Sequence, residues 1–216
     1  ALFAGGSKSS TDYSEVEVYN SSLIKSLATE ITKTRQNMGA TTVGNYALFA
    51  GGHYSTSSSN SRTNLVDAYS SSLVKSTATV LSASRQDISA TTVGNYALFA
   101  GGRNSSSSIN DSVCVNTVDA YSASLTRTIP DSLGHSAVHM GATTVGNYAL
   151  FAGGKNSNIH ADVYAYDTSL TRTILSSKLP YGLMYMGATS VGNYALFAGG
   201  YNDSNNVSDV YAFDSS

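Results

Sequence analysis

The hexapeptide Ala-Leu-Phe-Ala-Gly-Gly occurs five times, at residues 1–6, 47–52, 97–102, 149–154 and 195–200, with offsets of 46, 50, 52 and 46 residues. Recurrence at that period means that one supersecondary unit stacks on copies of itself, each burying a face that a lone unit would leave wet. Four copies follow Thr-Thr-Val-Gly-Asn-Tyr or Thr-Ser-Val-Gly-Asn-Tyr, ending at Tyr46, Tyr96, Tyr148 and Tyr194. A second signature comes after each double glycine: VEVYNSSL, VDAYSSSL, VDAYSASL, VYAYDTSL and VYAFDSS. Of the 19 glycines, 17 belong to the GG pairs, the VGN triplets or Gly39, Gly141 and Gly187. Glycine is therefore placed by backbone geometry and not by loose linkers.

Each unit reads as four strands. The first is GATTV or its equivalent, small and β-branched. Gly-Asn then supplies a two-residue hairpin turn of the kind that needs positive φ. The second strand, YALFA, is apolar without alternation, as a strand covered on both faces should be. The third centres on Val66-Asp67-Ala68-Tyr69 and its counterparts. The fourth follows a Ser-rich turn, as at Leu125-Thr126-Arg127-Thr128-Ile129. Ser, Thr, Val, Tyr and Gly dominate throughout, which disfavours helix. Four short strands in 46–52 residues is the spacing of a propeller blade, whereas a β-solenoid repeats over about 20–30 residues.

Phe-Ala-Gly-Gly closing the second strand, followed by a Tyr in the third, resembles the Kelch repeat. Arg35 and Arg85 match the arginine often found just before the next first strand. The resemblance spans the whole chain and implies an all-β Kelch-like β-propeller with five recognisable blades of four short antiparallel strands. Two departures stand out: there is no Trp, although the family usually has one in the fourth strand, and the arginine is replaced around His135 and Tyr181. The Ser/Thr/Asn-rich texture is closest to Kelch-like repeats of bacterial surface and phage-associated proteins. The expected blades are 1–36, 37–86, 87–137, 138–184 and 185–216, forming one domain. The two end blades are three-stranded, giving eighteen strands where five full blades need twenty. The chain is thus expected to be either a five-bladed propeller, the favoured reading, or an excerpt of a longer one.

Strands alternate in direction, so the turns joining strands one to two and three to four share one face of the disc. Those turns barely change between units. The connections on the other face change in nearly every copy and carry Arg, Lys, His, Tyr, Asn and Asp. A rigid scaffold presenting varied loops is the usual organisation of a binding surface. The ligand-binding candidates are Arg35, Asn37, His53, Tyr54, Arg85, Asp87, Arg103, Asn104, His139, Lys155, Tyr185 and Tyr201. Tyr54, Tyr181, Tyr185 and Tyr201, which do not repeat, are the candidate aromatic platforms, suited to sugars or to a protein epitope. The repeated Tyr46, Tyr96, Tyr148 and Tyr194, with Phe49, Phe99, Phe151 and Phe197, are expected in the core.

Recognisable chemistry is sparse. Nucleophile-elbow, HExxH and phosphate-loop patterns are absent. His135 and His139 are four apart, a spacing that aligns side chains only on a helix, so no metal site and no cofactor is expected. Cys114 is the only cysteine and reads as an incidental thiol. Charged residues are 12% with net charge −2, so no basic stripe suggests nucleic acid. No run of 18 apolar residues suggests membrane insertion. The expectation is a non-enzymatic, lectin-like or adhesin-like module, extracellular, at a cell surface or on a virion. Its partner would be a glycan or a surface protein. A structural repeat forming a homo-oligomer through open end blades is the alternative, and a sugar-active enzyme ranks last.

Overall fold

A computed structural model describes residues 1–9, 11–55 and 60–215. The described residues contain no helix and fold into five successive antiparallel sheets. The first contains Leu2–Ala4, Val16–Tyr19 and Lys25–Ala28. The second contains Gly39–Val43, Tyr46–Ala50, Val66–Ser70 and Lys75–Thr77. Ser89–Val93, Tyr96–Ala100, Val118–Ser122 and Arg127–Thr128 make the third, and Gly141–Val145, Tyr148–Ala152, Val163–Asp167 and Arg172–Ile174 the fourth. Gly187–Val191, Tyr194–Ala198 and Val210–Asp214 make the fifth. The expected pattern of two three-stranded end sheets flanking three four-stranded ones is present. Two small ribbons were not foreseen: Ser7–Lys8 with Thr11–Asp12, and His53–Ser55 with Asn60–Arg62.

Each sheet packs on the next. One core cluster joins the second and third sheets through Leu48, Val66, Ile88, Phe99 and Tyr121. Another joins the third and fourth through Leu98, Val118, Phe151, Tyr164 and Tyr166. Such stacking explains why YALFA is apolar on both faces. The cross-strand ring of each sheet meets its phenylalanine edge to face, as in Phe99–Tyr121 at 5.8 Å and Phe151–Tyr166 at 6.0 Å, a favoured geometry. Tyr46 and Tyr96 pack against the core clusters, but the other two repeated tyrosines before ALFA differ from expectation. Tyr148 is 40% and Tyr194 50% exposed, because they close hairpins at the edge of the stack. The phenylalanines are the core residues.

The double glycine clamps neighbouring sheets. The second glycine's N–H donates across the interface in Gly6→Arg35 O, Gly52→Arg85 O, Gly102→Ala137 O and Gly154→Leu183 O, all at 2.8–2.9 Å. Its φ runs from +93° to +106°, a region open essentially to glycine alone. The short GATTV strands also stand side by side. Thr41 and Thr92 Oγ1 lie 2.9 Å apart, as do those of Thr91 and Thr144, and Ser89 Oγ donates to Met140 O at 3.0 Å. Small hydroxyl side chains suit this seam because they permit close approach and bond across it.

The uniform turns interlock. A Cβ on Gly44 would sit 3.0 Å from Ala123, and one on Gly94 3.0 Å from Thr168, both in the three-to-four turn of the next sheet. The positive φ of the VGN turn falls on its glycine, +50° at Gly94, as in a type II′ turn. Asn95 is not in that region, so the asparagine is not the residue the turn geometry demands. In the Ser-rich turns, Leu73, Leu125 and Leu170 hold φ of +60° to +65°. Leu125 and Leu170 pack on the core clusters, which explains a leucine where glycine is usual.

The stack ends in two open faces. Val191 and Val210 are 59% and 61% exposed, whereas their counterparts in the fourth sheet, Val145 and Val163, are at most 2%. At the other end Phe3 is 60% exposed, while the four equivalent phenylalanines are at most 5%.

Candidate functional site

The two variable segments of each unit lie together. Antiparallel bridges join Gln36 to His53, Gln86 to Arg103, Val138 to Lys155, and Met184 to Tyr201. Each is a pair of backbone hydrogen bonds, for example Gln86 N→Arg103 O at 3.0 Å and Arg103 N→Gln86 O at 2.9 Å. Directly after each bridge comes Asn37, Asp87, His139 or Tyr185, all with φ between +55° and +59°. Left-handed backbone at a histidine or tyrosine is uncommon. These residues also link from unit to unit, through Asp87 N→Asn37 O and Tyr185 N→His139 O, both 3.1 Å. The result is two parallel rows on one face: Asn37, Asp87, His139 and Tyr185, flanked by His53, Arg103, Lys155 and Tyr201.

The rows differ in what they offer a ligand. Asn37 and Tyr185 are exposed. The Tyr185 ring lies 4.2 Å from that of His139, tilted by 31°, forming an aromatic shelf. Burial lowers the His139 pKa, so that ring is neutral at physiological pH. Asp87 and Arg103 are engaged with each other: Arg103 Nε donates to Asp87 Oδ2 at 2.6 Å, and Gln86 Nε2 reaches the same oxygen at 3.0 Å. Arg62 Nε donates to Gln86 Oε1 at 2.8 Å. Lys155 Nζ lies 3.4 Å from Asp203, which is 70% exposed. Lys33 Nζ sits over the Tyr54 ring, 3.3 Å from its centroid. His53 is half-buried, its pKa lowered chiefly by burial. Asn104 is exposed. Cys114 is buried beside Val113 and Val138, with its pKa raised by burial.

Among the clefts beside the rows, two adjoin His139 and Lys155. One, of about 320 Å³, is walled by Asp87, Ser89, His139, Met140 and Met186. The other, of about 310 Å³, is walled by Lys155, Asn158, Tyr181, Asn202 and Asp203. Asn202 belongs to the variable connection that begins at Tyr201, whereas Asp203 was not foreseen.

Arg35 and Arg85 require correction as ligand-binding candidates. Both are 0% exposed. Arg35 pairs with Asp67 and Arg85 with Asp119, each Nη2–Oδ2 at 2.7 Å. Each also donates to the carbonyl of the adjacent phenylalanine, Phe49 or Phe99, at 3.2 Å. They hold one sheet to the next and present nothing to solvent. In the fourth and fifth units Ala137 and Leu183 replace the arginine, and Tyr164 and Tyr211 replace the aspartate. Tyr164 Oη then meets His135 Nδ1 at 2.7 Å, and Tyr211 Oη meets Tyr181 Oη at 3.0 Å. An ionic pair has been exchanged as a unit for a pair of rings. Around His135 the replacement of the arginine, which reads in sequence as surface diversity, is thus coordination of the buried Tyr164, whereas the Tyr181–Tyr211 pair lies at the exposed end of the stack. Aligning VDAY with VYAY reveals the partner change.

His139 packs against Tyr185. His135 instead stacks on His160, with centroids 3.4 Å apart, and Nδ1 is 3.5 Å from Asp162. The sequence concealed this cluster because its members come from two separate connections. Comparison with models of known families and with characterised proteins found no match.

Proposed function

We propose that the five sheets are blades of a Kelch-like β-propeller and that the molecule is a non-enzymatic binding module. Its ligand is a glycan or a protein of a cell or virion surface, engaged by the two rows. The observation that carries this reading is the backbone pairing of the variable segments into one continuous face. The opposite face is interlocked turn against turn and has packing reasons for its uniformity. Tyr185 over His139 offers flat apolar area with a polar edge, and Lys155, Asn202 and Asp203 border the adjoining cleft. That combination suits a saccharide ring and its hydroxyls.

A glycan array and a pull-down from surface extracts identify the ligand. Tyr185→Ala, Tyr201→Ala and Lys155→Ala should then each weaken binding tenfold or more, about 1.4 kcal/mol. Thermal stability should move by less than about 0.5 kcal/mol for Tyr185→Ala, as for exposed positions generally, and by more for the half-buried Lys155 and Tyr201. Gly94→Ala, on the interlocked face, should lower stability and leave intrinsic affinity intact. Unchanged affinity in all three loop variants would overturn the assignment of the face.

A second reading is favoured by the open ends. The exposed face bearing Val191 and Val210 is the one that inner sheets bury, and Phe3 lies on its complement. Head-to-tail assembly of copies would cover both. Sedimentation over a wide concentration range tests it, and a strict monomer at every concentration rejects it.

A further inference from the structure

We propose that His135, His160 and Asp162 form a zinc-binding site at the fourth unit, independent of the ligand-binding reading above. One donor atom from each lies within 4.8 Å of the other two. Two imidazoles and a carboxylate are a donor set that suits Zn²⁺ with a fourth position left open. The connections on the variable face supply them: His135 precedes the first strand of the fourth unit, and His160 and Asp162 precede its third.

The surroundings prepare the donors. Asn156 Oδ1 already accepts a hydrogen bond from Asn158 N at 2.9 Å, so it acts as an acceptor. The 2.8 Å contact with His160 Nε2 therefore has the histidine donating, which leaves Nδ1 with its lone pair free. This is the outer-shell orientation that metal-ligating histidines use, and Asn156 itself is only 5% exposed. On His135, Nδ1 contacts Tyr164 Oη at 2.7 Å, whereas Nε2 is buried with no hydrogen-bond partner. An unpartnered buried polar atom calls for a reason. Lys178 Nζ holds Asp162 Oδ1 at 2.5 Å, while Oδ2 faces His135. The carboxylate is thereby turned with one oxygen toward the imidazoles. Lys178 is half exposed, so its charge can withdraw to solvent when a cation arrives.

Burial, followed by the proximity of His160, lowers the His135 pKa to about 4. The His160 pKa is also lowered, chiefly by burial. A tetrahedral zinc with ligands at about 2.0–2.1 Å holds its donors roughly 3.4 Å apart. Binding therefore draws the trio inward by up to about 1.4 Å and splays the stacked rings.

The repeat supplies substitutions that the fold accommodates. Val115 and Val207 occupy the position of His160, each donating its N–H to the second glycine's carbonyl as His160 does, apart from the change of unit. Thr117 corresponds to Asp162, and Ala83 to His135. Calorimetric titration of the intact chain with Zn²⁺ should show one equivalent bound. Co²⁺ should give the visible absorption of a low-symmetry site with nitrogen and oxygen donors. His160→Val, Asp162→Thr and His135→Ala should each weaken zinc binding at least tenfold, with unchanged circular dichroism melts confirming folded protein. Absence of saturable zinc uptake by the intact chain, or affinity within twofold of the parent in folded His160→Val, overturns the proposal.

Discussion

Arg85→Ala should destabilise the protein by about 3–5 kcal/mol, the usual result of removing one partner from a buried ion pair. Asp119 would be left in the interior at 0% exposure, still bonded to Ser82 N and Oγ but without its close cation. Arg127 Nε is 3.6 Å from its other oxygen and replaces only part of the lost attraction. In a chain of this size each kcal/mol moves the melting temperature by about 2–4 °C, so a thermal melt should fall by roughly 10 °C or more. The fourth unit suggests a rescue. Arg85→Ala combined with Asp119→Tyr and Ala83→His rebuilds the tyrosine–histidine arrangement of Tyr164 and His135, and should recover most of the loss. A melt of Arg85→Ala indistinguishable from the parent would show that the pair does not hold the sheets together.

The equivalent pair in the second unit sets a pH dependence. Burial alone would raise the Asp67 pKa, but hydrogen bonds from Thr32 and the charge and hydrogen bond of Arg35 outweigh it, leaving a net depression. A carboxylate with a depressed folded pKa contributes stability above its unfolded value of about 3.9 and loses it as pH falls through the folded value. Urea midpoints should therefore decline below about pH 4, with a shallower decline in Asp67→Asn. Equal slopes in the two proteins would refute the linkage.

The repeat made the sheets legible because every unit restates one pattern of size and polarity. YALFA announces a strand covered on both faces, and it is so in the three inner sheets, whereas the copies in the two end sheets each leave one face open. Partnership was less legible. Arg35 and Arg85 are charged residues in a variable connection, and sequence places such residues at the surface by default. Only the register between a connection and the third strand of the sheet that follows it shows that Asp67 and Asp119 lie beneath them. The His135–His160–Asp162 cluster was hidden for a similar reason, since the link between two connections is spatial. The rows Asn37–Tyr185 and His53–Tyr201 were anticipated as a face. Their pairing rests on backbone bonds, which leave no mark on side-chain identity.

Gly153→Ala and Gly199→Ala should differ sharply although the two glycines occupy the same place in the repeat. Their φ values are +68° and +66°, so an L side chain costs the same backbone strain at each, about 1–2 kcal/mol. What differs is the neighbour. A Cβ on Gly153 would lie 2.2 Å from Leu183 O and 2.9 Å from Met186 Cε of the adjoining unit, whereas one on Gly199 meets only Val207 O at 3.4 Å. The carbonyl of Leu183 cannot yield without breaking its bond from Gly154 N. Overpacking of this kind adds typically 1–3 kcal/mol, so Gly153→Ala should cost about 2 kcal/mol more than Gly199→Ala in urea unfolding. The comparison cancels propensity and φ and isolates the contact between sheets. Equal losses would mean that the first glycine of the signature answers only to backbone conformation, and that the second glycine alone forms the clamp.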